Sequence, residues 1–201
     1  METSSLAITR LDQLDRTRRY SYADYLRWQI NERLELIRGF VWEMAAPNRR
    51  HQRILGKLYL STGNYLRGKV CELYQAPFDV RLARRHPDTD EQILTVVQPD
   101  LCVICDLAKL DEAGCIGAPD WVVEILSKGN TKKEMREKFS VYEESGVREY
   151  WVVQPEYNNV LVYVLENGRF MAHPTLTDDD TAVSPILFPD LLIDLHEVFA
   201  D

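Results

Sequence analysis

The sequence predicts an α/β or α+β fold, a mixed β-sheet flanked by helices. Apolar runs with strand character outnumber the helical patterns. One long helical pattern lies between two strongly apolar runs, as in a parallel strand–helix–strand crossover. The 201 residues, 45% of them hydrophobic, can bury a core without metal or disulfides. We expect one domain over residues 1–201, with 1–20 as an N-terminal extension and 176–201 as an acidic C-terminal segment.

The first half of the chain predicts a helix, a hairpin and a second helix. Ser21 is a candidate N-cap for a helical pattern that runs from Tyr22 to Ile30. Two alternating runs flank Arg38–Gly39, which is typical of a tight β-hairpin. Pro47–Asn48 then opens the second helix. Strand-like runs follow at 70–74, 78–82, 93–97 and 101–105, with a polar loop over 84–92.

The second half predicts the crossover and then a series of antiparallel strands. Residues 120–127 have the pattern of a buried strand. Thr131 can cap a helix that closes at Gly146. The stretch that follows predicts three strands, separated by turns at Pro155–Asn159 and Asn167–Gly168.

Hydropathy and charge limit the classes of protein to consider. No apolar run approaches the roughly 18 residues of a membrane span, and acidic residues interrupt the N-terminus before a signal-peptide core could form. We therefore expect a cytoplasmic protein with no membrane association. The formal net charge is −8, but residues 176–201 carry seven acidic and no basic residues, which leaves −1 for the first 175.

Basic residues form clusters in the first 175 residues. Such clusters are compatible with nucleic-acid binding but are also common on solvated surfaces, so they neither establish nor exclude it. The clusters are Arg49, Arg50, Arg53 and Lys57; Arg81, Arg84 and Arg85; and Lys128, Lys132, Lys133, Arg136 and Lys138.

Four cysteines include a C-x-x-C pair, Cys102 and Cys105. A zinc ribbon needs a second pair, and a redox motif belongs at a helix N-terminus, whereas this pair lies in a strand-like run. We therefore expect Cys71, Cys102, Cys105 and Cys115 to be buried free thiols.

Two acidic residues lie where a charge is costly. Asp100 follows Pro99 at the head of one apolar strand, and Glu124 lies inside the apolar run Trp121–Leu126. A buried ionised carboxylate costs several kcal/mol unless it is paired or bound to a cation. A buried ion pair is one solution for Glu124. Acids on neighbouring strands also suit Mg²⁺, which takes one or two carboxylates and keeps several waters.

These residues also carry a resemblance to a known family. The sequence resembles the Uma2 family of the PD-(D/E)XK nuclease superfamily, whose members are described as restriction endonucleases. The similarity extends over nearly the whole chain. The matching segments are Glu35–Gly39, His51, Pro77–Val80, Gln98–Asp100, Ala118–Ser127, Lys138 with Tyr142, and Gly146–Trp151.

The resemblance implies a restriction-endonuclease-like fold and metal-dependent hydrolysis of phosphodiester bonds. Asp100, Glu124 and the backbone carbonyl of Ile125 would bind Mg²⁺ or Mn²⁺, and Glu35 would reach the metal directly or through water. The ion would lower the pKa of a bound water and neutralise charge on the phosphate. DNA is the expected substrate, and a homodimer is expected because two sites can cut both strands.

The lysine of the motif departs from the family pattern. It should stand two residues after Glu124, where this chain has Leu126. Lys138 is the expected replacement, because Glu134, Lys138 and Tyr142 share one helical face. An ordinary pair with Glu134 would also explain Lys138. Lys128 is the rival, and the sequence leaves the choice open.

His51, Tyr142 and Asp79 are further candidates. His51 opens a helix, where it would cap the helix or hydrogen-bond a phosphate or carboxylate. Tyr142 would be a core aromatic with a bonded hydroxyl or a site residue. Asp79 would be a turn acid at a strand end or a part of the site.

The leading functional prediction is a divalent-metal-dependent endonuclease. The alternative is a nuclease fold used as a binding or assembly module with little turnover, which Leu126 and the nearly neutral first 175 residues favour. A third hypothesis is a metal-dependent phosphodiesterase for small nucleotides, for which the sequence shows no glycine-rich phosphate loop.

Overall fold

The computed structural model describes residues 7–83, 89–127, 129 and 131–200. Within them, helices flank two mixed sheets, which confirms the predicted class. The helices are α1 (Tyr22–Tyr25), α2 (Arg49–Leu66), α3 (Lys132–Ser145) and α4 (Leu195–Phe199). The strands are β1 (Leu34–Ile37), β2 (Phe40–Glu43), β3 (Glu72–Gln75), β4 (Val80–Arg81), β5 (Val96–Val97), β6 (Leu101–Ile104), β7 (Leu110–Asp111), β8 (Gly114–Ile116), β9 (Trp121–Ile125), β10 (Glu149–Gln154), β11 (Asn159–Glu166), β12 (Arg169–Ala172) and β13 (Leu176–Thr177).

The larger sheet has the strand order β12-β11-β10-β9-β6-β3, with β13 beside β11. Strands β9 and β10 are parallel and α3 connects them, which confirms the predicted crossover. Local signals fix the ends of α3. The Thr131 side chain accepts a hydrogen bond from the amide of Glu134, and Gly146 closes the helix at a φ of 88°.

The smaller sheet has the strand order β2-β1-β5-β4-β8-β7. Its hairpin β1–β2 turns at Arg38 and Gly39, whose φ angles of 55° and 85° are those of a type I′ turn. The predicted hairpin is therefore confirmed, and it carries Glu35 on β1 into the interior, where that residue is 1% exposed.

The main core lies where α2 and the C-terminal segment cover the larger sheet. Trp121 and Trp151 meet edge to face on that sheet, with ring centroids 5.1 Å apart. The acidic segment contributes Phe188, Ile193 and Phe199 to the same cluster. In the C-terminal segment, acidic residues therefore lie between apolar residues that pack on the sheet. Among the described residues, no helix has the length and apolar character needed to cross a bilayer.

Two expectations need correction. Helix α1 is one turn rather than a longer helix reaching Ile30; it ends at Tyr25, and Leu26 is exposed. Cys71 and Cys105 form a disulfide between the paired strands β3 and β6, so these two are not free thiols. Cys102 and Cys115 are free and buried, as expected. Part of the predicted polar loop, residues 84–88, lies outside the described residues.

Candidate active site

Asp100 and Glu124 lie together at one end of the larger sheet. The antiparallel register of β6 and β9 pairs Leu101 with Val123, which places Asp100 opposite Glu124. The Oδ2 atom of Asp100 accepts a hydrogen bond of 2.7 Å from the amide of Ile125. Both acids line one small cavity of about 60 Å³. The two carboxylates singled out in the sequence therefore converge on a common space.

Helix α3 holds Glu124 through two side chains one helical turn apart. The Oε1 atom of Glu124 accepts hydrogen bonds from Lys138 Nζ at 2.9 Å and from Tyr142 Oη at 2.7 Å. Within the described part of the chain, both hydrogen bonds to Glu124 go to Oε1, which leaves Oε2 for another partner. The helical spacing that favoured Lys138 thus brings it into the site.

Lys138 also connects Glu124 to Glu35 on the other sheet. Its Nζ lies 3.0 Å from Glu35 Oε1, which also accepts a 2.7 Å hydrogen bond from the amide of Gln98. Glu35 does not border the cavity. The buried ammonium group of Lys138 therefore forms ion pairs with two buried carboxylates.

Burial and charge shift the pKa values of this cluster. Burial raises the pKa of Glu124 to about 7; the ammonium of Lys138 opposes the shift, and the charges of Asp100 and Glu35 add to it. Burial disfavours the charged form of Lys138, but Glu124 and Glu35 outweigh burial and raise its pKa well above the usual value. Lys138 is therefore charged at neutral pH, whereas Glu124 can exchange a proton near that pH.

His51 borders the same cavity from the first turn of α2. The side chain of Asn48 caps the helix by accepting a hydrogen bond from the amide of His51 at 2.9 Å. The Nε2 atom of His51 lies 3.1 Å from Asp100 Oδ1. Its Nδ1 atom is buried and has no hydrogen-bond partner in the described part of the molecule. The imidazole therefore faces a predicted metal ligand.

Asp79 does not border this cavity. Asp79 accepts a 2.9 Å hydrogen bond from the side chain of Gln98 and lines a separate cavity of about 470 Å³. Burial raises the pKa of Asp79. Lys128 lies outside the described residues. Leu126 borders the small cavity with an apolar side chain.

Two residues of this region, Arg33 and Gln98, were not assigned to the site from the sequence. Arg33 borders the small cavity and donates hydrogen bonds of 3.2 and 2.9 Å to the side chain of Gln98. Gln98 directly precedes Pro99–Asp100, a position that could have drawn attention to it. Arg33 follows the acidic residue Glu32 in a polar stretch, and no local pattern marks it.

The donor set fits a hydrated hard cation. In the described ranges, no three His, Cys, Asp or Glu side chains form a group that could hold a metal ion, so a closed metal cage is absent there. Mg²⁺ does not need such a cage, because it binds through one or two carboxylates and keeps several waters. The cavity of about 60 Å³ is large enough to hold water beside an ion. Asp100 and Glu124 therefore suit Mg²⁺ or Mn²⁺.

Comparison with known proteins identifies the family and supports the fold. Residues 22–196 match the Uma2 family, which is described as "Putative restriction endonuclease". The fold is similar to the crystal structure of "a putative nuclease belonging to DUF820" from Anabaena variabilis, with a TM-score of 0.68 and 16% sequence identity. That similarity covers 90% of this chain and 97% of the other. No curated protein matches the chain.

Proposed function

Because this chain belongs to the Uma2 family, we propose that it is a divalent-metal-dependent endonuclease that hydrolyses phosphodiester bonds in DNA. The supporting observation is that Asp100 and Glu124 converge on one small cavity, with Lys138 bonded to Glu124. The family description supports nuclease activity in general terms. Metal dependence and the DNA substrate are our inference from the acids and their surroundings.

Asp100 and Glu124 would hold the metal ion, with the backbone carbonyl of Ile125 as a further oxygen ligand. The bound ion would supply a water of lowered pKa and neutralise charge on the phosphate. The hydrogen bond from the Ile125 amide fixes one oxygen of Asp100. Tyr142 and Lys138 fix one oxygen of Glu124. The remaining oxygens are thus held in place before any ligand arrives.

Lys138 would replace the lysine that the motif places on the strand. Its ammonium stays protonated because of Glu124 and Glu35, so it can offset negative charge on the phosphate and orient a water beside Glu124. Leu126 occupies the strand position, and α3 supplies the cation to the same cavity. This arrangement supports an active enzyme over a fold that has lost its chemistry.

Glu35 and His51 would act on either side of this pair. Glu35 lies outside the cavity and contacts Lys138, so we assign it as a positioning residue for that lysine. A direct contact between Glu35 and the metal remains a prediction. His51 would orient Asp100 or donate a hydrogen bond to the phosphate.

The basic clusters divide into structural and surface groups. Lys57 donates hydrogen bonds to backbone carbonyls near the end of α4, and Arg81 is buried against Asp111. Arg84, Arg85 and Lys128 lie outside the described residues. The exposed basic residues that remain suit contact with a phosphate backbone. They are Arg49 on α2 and Lys132, Lys133 and Arg136 on α3.

A plasmid assay with a metal titration tests the proposal. Wild type should nick supercoiled DNA with Mg²⁺ or Mn²⁺ and lose this activity in a chelator. Glu124→Ala should be more than about 100-fold slower, since even residues that only support metal ligands contribute roughly 10- to 100-fold. Glu112→Ala removes an exposed acid away from the small cavity and is the matched control.

The outcomes separate the alternatives. Metal-independent cutting, or an unaffected Glu124→Ala variant, would contradict the proposed nuclease. Calorimetric Mn²⁺ binding without nicking would indicate a metal-dependent enzyme for another substrate, such as a small nucleotide. No Mn²⁺ binding at millimolar concentration would favour the binding or assembly module. We also propose a homodimer, which sedimentation of the purified protein would test.

A further inference from the structure

A second cavity of about 490 Å³ adjoins the candidate active site. Leu126 and Ser127, just past the end of β9, line both cavities, so the two are adjacent. The volume is within the range of roughly 300–1,000 Å³ that is typical of small-ligand sites. Asn48, Arg50, Pro155 and Tyr157 form other parts of the wall.

The parallel pairing of β9 and β10 explains why this cavity lies so close to Glu124. The register places Val152 beside Glu124 and Val153 beside Ile125, so the two strands end side by side. Strand β10 then continues into a 3₁₀ turn, Pro155–Tyr157. Since paired strands are about 4.8 Å apart, this turn begins one strand away from the strand that carries Glu124.

Tyr157 is an exposed aromatic residue on an ordered turn. It is 72% exposed, although it belongs to a turn that is held at several points. Pro155 is buried, and Asn158 closes the turn in the left-handed region at a φ of 48°. Asn158 accepts a hydrogen bond of 2.6 Å from Arg50 and donates one of 2.6 Å to Asp178. The ring is thus presented to solvent from an ordered turn.

Positive groups also border this cavity. A concave surface of about 290 Å³ is lined by Asn48, Arg49, Arg50 and Arg53 at the start of α2. Asn48 and Arg50 belong to both cavities. In the part of the chain that the structure describes, Nε of Arg50 is buried without a hydrogen-bond partner. Arginines at a helix N-terminus suit a phosphate group.

Charged and apolar regions therefore alternate along one path on the surface. It runs from the carboxylate cavity, past apolar Leu126 and the ring of Tyr157, to the arginines at the start of α2. A single nucleic-acid strand alternates in the same way, from phosphate to base to phosphate. Stacking on an exposed aromatic ring is how proteins hold unpaired bases without strong sequence preference.

On this basis, and resting on the proposed nuclease function, we propose that the second cavity binds one unpaired nucleobase next to the cleaved phosphate. Tyr157 would stack on the base, Leu126 would contact its apolar face, and Arg50 with Arg49 would bind the next phosphate. Leu126 suits this role because a lysine there would bring a charge to the wall that meets the base. The substrate would be single-stranded or locally unpaired DNA in preference to an intact duplex.

A fluorescent base analogue tests this subsite. Oligonucleotides that carry 2-aminopurine, whose emission falls on stacking, would be titrated with protein in chelator and again in Ca²⁺. Wild type should quench the emission and bind the single strand more tightly than the duplex. Tyr157→Phe keeps the ring and should behave as wild type, whereas Tyr157→Ala should lose the quenching and bind about tenfold more weakly.

Matched controls come from the same helix and residue types. Tyr59→Ala removes a partly exposed tyrosine of α2 outside these cavities, and Arg67→Ala removes an exposed arginine just past the opposite end of α2 from Arg50. Both should bind as wild type, whereas Arg50→Ala should bind more weakly. Circular dichroism would confirm that each variant is folded.

The assay is independent of cleavage, so the two proposals fail separately. Equal quenching and affinity for Tyr157→Ala and wild type would overturn the subsite, as would equal affinity for single strand and duplex. An absence of binding in both chelator and Ca²⁺ would also overturn it. Normal quenching together with no nicking of any DNA would contradict the nuclease and leave base binding in place.

Discussion

The larger sheet buries one glutamate at each end of its parallel strand pair, and the two carboxylates have opposite surroundings. Glu149, at the start of β10, accepts hydrogen bonds through both oxygens, from the indole of Trp151 and from the amides of Ile186 and Leu187. Glu124, near the end of β9, is bonded through Oε1 to a charged amine and a hydroxyl, beside a cavity.

The difference shows that burial does not by itself identify a functional acid. Burial raises the pKa of both carboxyl groups, and neutral donors oppose the shift at Glu149. At Glu149 those donors fix Ile186 and Leu187 of the C-terminal segment against the sheet. At Glu124 the donors within the described residues bond only Oε1, and Oε2 is the oxygen that we propose for the metal. Substitution of Glu124 should therefore reduce activity, whereas substitution of Glu149 should mainly reduce stability.

The largest expected effect is at Glu124. Glu124→Gln keeps the size and one acceptor oxygen but removes the charge that would hold a cation. We expect loss of calorimetric Mn²⁺ binding and more than about 100-fold loss of nicking. Tight Mn²⁺ binding by Glu124→Gln would show that Glu124, like Glu149, has only a structural role.

Lys138 should give the next largest effect. Lys138→Met leaves Glu35 and Glu124 buried without a cation, which costs about 3–5 kcal/mol in the free energy of unfolding. Nicking by the folded fraction should fall by roughly 10- to 100-fold. Lys69→Met, at an exposed position just past the end of α2 and outside both cavities, is the control and should leave both quantities unchanged. Wild-type stability in Lys138→Met would contradict the bridging role.

The effect of pH on stability should be smaller than that of either substitution, and Glu124 contributes to it. Its pKa is raised by burial to about 7 from an ordinary value of 4.5, so the folded protein holds a proton there that the unfolded chain has released. The contribution of Glu124 to the free energy of unfolding is therefore full below pH 4.5 and is lost as pH rises through 7.

The affinity for Mn²⁺ should instead increase with pH. Because the carboxylate must be deprotonated to bind, Mn²⁺ affinity should rise by up to about tenfold per pH unit up to pH 7 and then level off. Calorimetry from pH 5.5 to 8.5 measures this profile in wild type and in Glu149→Gln, which should match. A flat wild-type profile would show that Glu124 does not titrate in this range.

The smallest effect on the site is expected at Glu149. In Glu149→Gln an amide donor faces the donors of Trp151, Ile186 and Leu187, so stability should fall by about 1–3 kcal/mol. Mn²⁺ affinity and activity per folded molecule should change by less than about twofold. Urea unfolding measures the stability, and calorimetry measures the Mn²⁺ affinity. A large loss of Mn²⁺ affinity in Glu149→Gln would contradict a purely structural role for Glu149.

Local signals explain the parts of the fold that could be predicted. The capping residue Thr131 and the glycine at 146 fix helix α3, and Arg38–Gly39 fixes the hairpin. The Cys71–Cys105 disulfide was missed because it depends on the register between β3 and β6. The length of α1 was missed because helical spacing continues past Tyr25, where the chain leaves the helix.

The site was predictable where its groups share a local segment. Helical spacing and the family resemblance together indicated Lys138, and the apolar strand around Glu124 marked that acid. The contact of Glu35 with Lys138 and the amide of Gln98 depends on the docking of two sheets. Glu149 was not singled out, because its partners at 186 and 187 are set by the path of the C-terminal segment.

The same contacts also suggest an order of folding. Lys138 and Glu124 are 14 residues apart in one strand–helix unit, so closing the loop between them costs little entropy. Glu35 lies about a hundred residues from Lys138 and must wait for the hairpin to dock, a slower, non-local event. We therefore expect the ion pair between Lys138 and Glu124 to form early in folding. Docking of the hairpin that carries Glu35 should be the late step that completes the site.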